Sequence, residues 1–422
     1  MISRKWTHAG LALMAMGVVI SQVATITDAR QSTLTMTSVP SPAGAMSETP
    51  QMTSSSKGTI LSWIERQGAT ASLKFAERTA TGWSAAKTAA SGTNWFVNWA
   101  DVPSVIRLDD GSLVAHWLQK SGASTYAYDV RLSRSTDNGT TWSSSVTPHH
   151  DGTQTEHGFA SLFQVPGAGL GLVFLDGRQM APPAGGAAGA GHDGHGEGAM
   201  TVRYAQFDGA FKQTVDAPID LRVCECCPTT VAVTADAPIM AYRNRTEDET
   251  RDIYVSRFEG GKWTEGKAVH NDGWQIPGCP VNGPMLSARG RDVVIAWFTG
   301  KDEVGHAYVA FSKDGGRSFA APIRVDDKET LGRVDVELMA DGAAMVTWIE
   351  DTDGKTEFRL RRITPTGQRG APLTLTAIAS SRTSGYPRLA RHGNELLVAW
   401  TDVTPGGAGS RGTTQVKTAL VK

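Results

Sequence analysis

The sequence predicts an all-β fold, a β-propeller of four-stranded blades, on three observations. A short apolar run, a glycine-bearing turn and a stronger apolar run closing on an aromatic residue recur from residue 49 to the C-terminus. The copies are spaced by 54, 58, 67, 55, 51 and 52 residues, the period of a propeller blade. The chain also holds 46 glycines and 12 tryptophans with few long helical patterns, as sheet proteins with many turns do.

The strong runs are "TILSW", "LVAHW", "GLVFL", "PIMAY", "VVIAW", "MVTW" and "LLVAW", which close on Trp63, Trp117, Leu175, Tyr242, Trp297, Trp348 and Trp400. Runs this apolar need both sheet faces covered, which stacked blades provide. A third alternating strand follows, as in "STYAYDVRLSRS" and "RDIYVSRFEGG", and Asp-Gly in "LDDGSL" and "MADGAA" marks hairpin turns. Seven copies argue for seven blades, or six if a terminal copy is not a complete blade. The 67-residue spacing reflects a Gly/Ala/His-rich loop insertion at 181–199, between the second and third strands of blade 3. Its "HDGHGEG" reads as an unligated loop.

Ahead of the repeats, Arg4 and Lys5 precede an apolar Leu11–Ile20 and small residues at Thr27 and Ala29, so 1–29 reads as a cleaved signal peptide and 30–48 as a flexible lead-in. The expected location is secreted or periplasmic, with no membrane anchor, and a monomer. A net charge of −1 with no basic stripe argues against nucleic acid as partner.

"STDNGTTW" (135–142) and "SKDGGRSF" (312–319) fit the S-x-D-x-G-x-x-W/F pattern, in which Asp and Gly close a tight turn over a packed aromatic. With the blade repeat, these make the chain resemble the sialidase superfamily of Asp-box (BNR-repeat) propellers. The runs "NWADVPSV", "DGTQTEHGF", "VCECCPTT", "GCPVNGP" and "GRVDV" are similar to those of exported bacterial propellers labelled sialidase-like, whose activity is unestablished. The resemblance implies a glycoside hydrolase of exo-sialidase type, with three arginines on a carboxylate, a tyrosine nucleophile backed by glutamate, and an aspartate acid/base. Arg243 and Arg251 match the arginine set, whereas the superfamily's Arg-Ile-Pro motif is absent; the arginine nearest its place is Arg107.

Segments leading into the innermost strands, and those joining strands two and three, converge at one end of a propeller. Here they bring Trp95, Asn98, Trp99, Asp101, Glu156, His157, Glu225, Asn282, Arg333, Asp335, Arg382, Tyr386, Asp176, Arg178, Arg243 and Arg245 to a common mouth. For an acidic glycan, Arg178, Arg243, Arg245 and Arg333 would clamp a carboxylate, with Trp99, His157 and Asn282 completing the site. Glu156 or Asp101 would be the acid/base, opposite Glu225 or Asp335, and Tyr386 a nucleophile or an aromatic plug. The same residues would serve a non-enzymatic binder of an anionic ligand, and neither reading requires a cofactor.

All four cysteines fall in two of these segments: Cys224, Cys226 and Cys227 in "VCECCPTT", and Cys279 in "GCPVNGP". Adjacent blades place the segments side by side. In an oxidising compartment disulfides are the default, and Cys227–Cys279 is the pairing that blade position favours. The alternatives are a copper or zinc site using two to four thiolates with His157 nearby, or a redox-active thiol pair.

Overall fold

The computed structural model describes residues 34–167, 169–181, 198–406 and 412–422. They form seven antiparallel sheets, one for each repeat, arranged as a seven-bladed propeller. Blade 1 is Ser47–Ser55, Gly58–Gln67, Thr70–Glu77 and Lys87–Gly92. Blade 2 has three strands, Ser104–Arg107, Leu113–Lys120 and Tyr128–Ser135, with a single bridge from Leu132 to Val146 in place of the fourth. Blade 3 has four strands, His157–Val165, Gly169–Asp176, Met200–Phe207 and Gln213–Val223, with bulges in its inner and outer pairings. Blade 4 carries Thr230–Val233, Pro238–Arg243 and Ile253–Glu259, with two-residue strands outermost. Inner strands Met285–Arg289, Thr330–Leu338 and Arg388–His392 begin blades 5, 6 and 7.

The expected flexible lead-in is corrected in part. Met36–Val39 is the outermost strand of blade 7, paired antiparallel with Thr413–Val421. In its "MTSV" Val39 is buried, and the half-buried Met36 joins the apolar cluster of Trp400 and Phe358. The ring is thus closed by both ends of the described chain. Residues 1–29, expected to be a signal peptide, lie outside the described residues, as does most of the 181–199 insertion. Among the described residues no helix is long and apolar enough to cross a membrane.

The second strands supply the cores between blades, and Trp63, Trp297 and Trp348 are fully buried there. The S-x-D-x-G segments fold alike. Asp137 Oδ1 accepts from Thr140 N and Thr141 N, and Ser135 Oγ receives Gly139 N. Asp314 and Ser312 do the same for Arg317 N, Ser318 N and Gly316 N. Trp142 then meets Phe75 of blade 1 edge-on, centroids 6.0 Å apart.

At the mouth, side chains of one blade hold the inner strand of the next. Asp101 accepts Phe159 N, Asn282 accepts Arg333 N, and Asp335 accepts Leu389 N. Phe159 and Arg333 adopt φ of 49° and 50°, a conformation costing about 1–3 kcal/mol that these bonds help to impose.

Closure by the N-terminal strand has a direct test. A chain starting at Ala43 should unfold with roughly 2–5 kcal/mol less stability than one starting at Thr33, measured by urea denaturation.

Candidate functional site

The two cysteine segments meet as the blade positions imply. Gly283 lies so close that a Cβ there would approach the Pro228 carbonyl oxygen to 2.1 Å, so only glycine lets the segments touch. Asn282 N donates to Cys227 Sγ at 3.3 Å, and Cys279 Sγ is 3.8 Å from Glu225. All four cysteines are free in this structure, and the expected Cys227–Cys279 bridge is not formed. Instead of pairing with Cys279, Cys227 Sγ turns inward to within 3.4 Å of Cys224 Sγ, while Cys279 stays exposed at the rim.

The Sγ atoms of Cys224, Cys226 and Cys227 lie within 4.8 Å of one another. Cys279 also interacts with Cys224 and Cys226 through its thiol. Three thiols thus form a tight group, and a fourth closes it from the solvent side. Burial opposes ionisation of Cys224, yet hydrogen bonds from Cys226, Cys227 and Cys279 and the Arg251 charge hold its thiol well below the usual range. Burial and hydrogen bonding to Cys224 push the thiol of Cys227 up to about 12. The cluster is therefore polarised, with ionisation favoured at Cys224 beside Arg251 and disfavoured at Cys227. Arg251 Nη1 reaches Cys224 Sγ at 3.3 Å and Glu225 at 2.7 Å, and Arg245 closes on the other Glu225 oxygen.

The arginines expected to clamp a ligand are engaged within the protein. Arg243 is fully buried, donates to the carbonyls of Asn282, Arg251 and Phe298, and stacks on Trp274. Arg245 pairs with Glu225 and Glu249, and Arg178 with Asp176. Arg333 donates to Ser381 O, Ser384 Oγ and Gly385 O and lies over Trp99, which itself stacks on Tyr386.

Tyr386 is buried and donates its hydroxyl to the Val281 carbonyl, and burial raises its phenol far above the usual value. That is the arrangement of a plug between blades 5 and 7. Asp101 and Glu156 share the Tyr128 hydroxyl, at 2.9 and 2.7 Å. Burial raises them to about 7 and about 8, so the pair keeps at least one proton near neutrality.

Beneath the mouth an axial channel of about 540 Å³ is lined by inner strands, including Asp101, Thr229, Asp335, Glu337 and Arg388. His157, placed at the mouth by the sequence, instead faces away from the thiols toward Asp129, His149, Asp151 and Asp176. Sequence reasoning did not assemble this group, although "HHDGTQTEH" (149–157) carries three of its members. Arg251, matched above to the sialidase arginines, is the cation of the thiol cluster.

No family model matches the chain, and no curated protein matches it. Solved structures do. It is similar to a protein of unknown function from Dyadobacter fermentans at 11% identity and TM-score 0.49, covering 92% of this chain and 98% of that one. A mutant of the NanB sialidase from Streptococcus pneumoniae matches at 9% identity and TM-score 0.46, over 86% and 83%. An ulvan lyase of a polysaccharide lyase family matches at 13% and 0.45, over 74% and 75%.

The channel acids set a pH dependence. Burial raises Glu337 from 4.5 to about 7 and Asp335 to about 6, against opposing bonds from Ser287 and Arg391 N and from Leu389 N and Val336 N. Folding therefore favours the neutral acids. The stability this gives is complete at acid pH and is lost as pH rises through 6 to 7. Glu337→Gln should leave stability unchanged relative to wild type near pH 4 and gain up to about 3 kcal/mol on it at pH 8, read from paired urea denaturation curves.

Proposed function

We propose that the protein binds one soft metal ion, copper(I) or zinc(II), on the thiolates of Cys224, Cys226, Cys227 and Cys279 at the propeller mouth. It would do so outside the cytoplasm, after removal of the N-terminal signal. The observation that carries the reading is the convergence of three sulfurs within 4.8 Å, with Cys279 beside them at the exposed rim. Metal–sulfur bonds of about 2.3 Å place sulfurs about 3.8 Å apart around one ion, close to the spacing here. Thiolate donors select copper(I) and zinc over harder cations.

The surroundings support the same reading. Arg251 and the Asn282 N–H each donate to a sulfur, offsetting the negative charge that several thiolates bring to a buried place. Three ligands are partly or fully buried and Cys279 is exposed, so exchange with an incoming donor begins at Cys279. These features suit an ion that is held and passed on. A redox dithiol built on Cys224 and Cys227 is the competing use of the same sulfurs.

The acidic-glycan reading has one observation in its favour: the polar axial channel is large enough for a monosaccharide and is bordered by proton-holding carboxyl groups. On that reading a chromogenic sialoside would be cleaved, and Asp101→Asn would abolish cleavage. On the metal reading neither is expected.

The test is an anaerobic titration of the reduced full chain against a chromogenic copper(I) chelator, repeated with zinc. One equivalent should be retained. Cys224→Ser, Cys226→Ser or Cys227→Ser should each abolish retention, and Arg251→Gln should weaken it roughly 10–100-fold. Four free thiols should appear only after chelation under denaturing conditions. Retention of no metal by the reduced protein would overturn the reading, and a Cys224–Cys227 disulfide in the native protein would assign the sulfurs to redox chemistry.

A further inference from the structure

A second group of ligand atoms lies between blades 2 and 3, and the thiol cluster does not use it. Asp129 is the second residue of the strand Tyr128–Ser135, His149 and Asp151 follow blade 2, and His157 opens the inner strand of blade 3. The imidazoles of His149 and His157 lie parallel, 3.7 Å between centroids and 5° between planes. His157 is completely buried; its Nδ1 and His149 Nε2 have no hydrogen-bond partner, whereas the opposite nitrogens of the two rings face Asp151 Oδ2 as ion pairs.

Unpartnered polar atoms in such a place cost roughly 1–3 kcal/mol each, so their accumulation needs a cause. The geometry supplies one, because the two stacked rings present two different edges. On one edge, His149 Nε2 and His157 Nδ1 lie 3.8 and 3.7 Å from Asp129 Oδ1. That is too long for hydrogen bonds and near the separation of ligands around a single ion. On the other edge, His149 Nδ1 and His157 Nε2 lie 3.3 and 3.2 Å from Asp151 Oδ2, with Asp176 Oδ1 3.8 Å from His157 Nε2. Arg178 holds this edge, reaching Asp176 at 2.6 Å and Asp151 at 3.5 Å.

We propose that His149 Nε2, His157 Nδ1 and Asp129 Oδ1 form a second metal site, for zinc(II) or a divalent ion of the same borderline chemistry. Metal-bound histidines direct their far nitrogen to a carboxylate, which fixes the tautomer and raises ligand basicity. Asp151 stands at the far nitrogens of both rings. Two imidazoles and one carboxylate make up a three-ligand zinc set with a fourth position open, once one ring tilts out of the parallel stack so that both nitrogen lone pairs converge on the ion. Asp129 is the ligand partly reached by solvent. This site is independent of the thiol cluster, since it shares no ligand with it.

The experiment is equilibrium dialysis of the reduced full chain against zinc, with metal content measured per chain. Wild type should retain one more equivalent than His149→Gln or Asp129→Asn, and Cys226→Ser should leave that equivalent in place. Unchanged zinc content in both His149→Gln and Asp129→Asn would overturn the proposal. So would a wild type whose zinc is carried by cysteines alone. Should either variant fail to fold, the imidazole ring proton resonances of His149 and His157 in wild type decide: both should shift on zinc addition, and unmoved resonances would also overturn it.

Discussion

Adjacent blades are fastened at the mouth by side chains that capture the next inner strand's backbone N–H, and the rest of this structure depends on that fastening. Asp101, Asn282 and Asp335 each accept such a bond across a blade boundary. The bonds hold Phe159 and Arg333 in a left-handed backbone conformation that an isolated strand would leave. They also set how closely neighbouring loops approach. The contact of Gly283 with Pro228 brings the segment of Cys279 against that of Cys224–Cys227, more than 50 residues away in the chain.

This fastening uses up most of the polar residues at the mouth. A carboxylate that caps a backbone N–H, or a guanidinium spent on carbonyls as in Arg243, has little left for a ligand. What stands apart is sulfur. The thiols are placed against one another and against Arg251, with no carbonyl acceptor among the partners named above for them. Buried sulfur so arranged gains most from a shared soft ion, and the surrounding N–H donors stabilise the charge that metal binding requires.

The fold was legible because its signal repeats. Trp63, Trp297, Trp348 and Trp400 recur at blade spacing since each blade buries the same second strand, and seven weak signals add to one strong one. The Met36–Val39 strand was not legible, because "MTSV" between Ser, Thr and Pro has strand character only beside Thr413–Val421. For the site, meeting of the two cysteine segments followed from blade arithmetic, but the choice between disulfide and thiol cluster did not. It turns on side-chain direction within a tight turn at 224–227. The His149–Asp151–His157 group escaped for a related reason: it is completed by Asp129 and Asp176 from two different blades, a juxtaposition that no single segment displays.

The central claim is that sulfur, and not the mouth's arginines and carboxylates, is the functional ligand set. The most direct measurement is the metal K-edge X-ray absorption spectrum of the reduced full chain loaded with a single equivalent of copper(I). The account predicts a first shell of three or four sulfur scatterers at about 2.3 Å. A first shell of nitrogen and oxygen alone, near 2.0 Å, would contradict it.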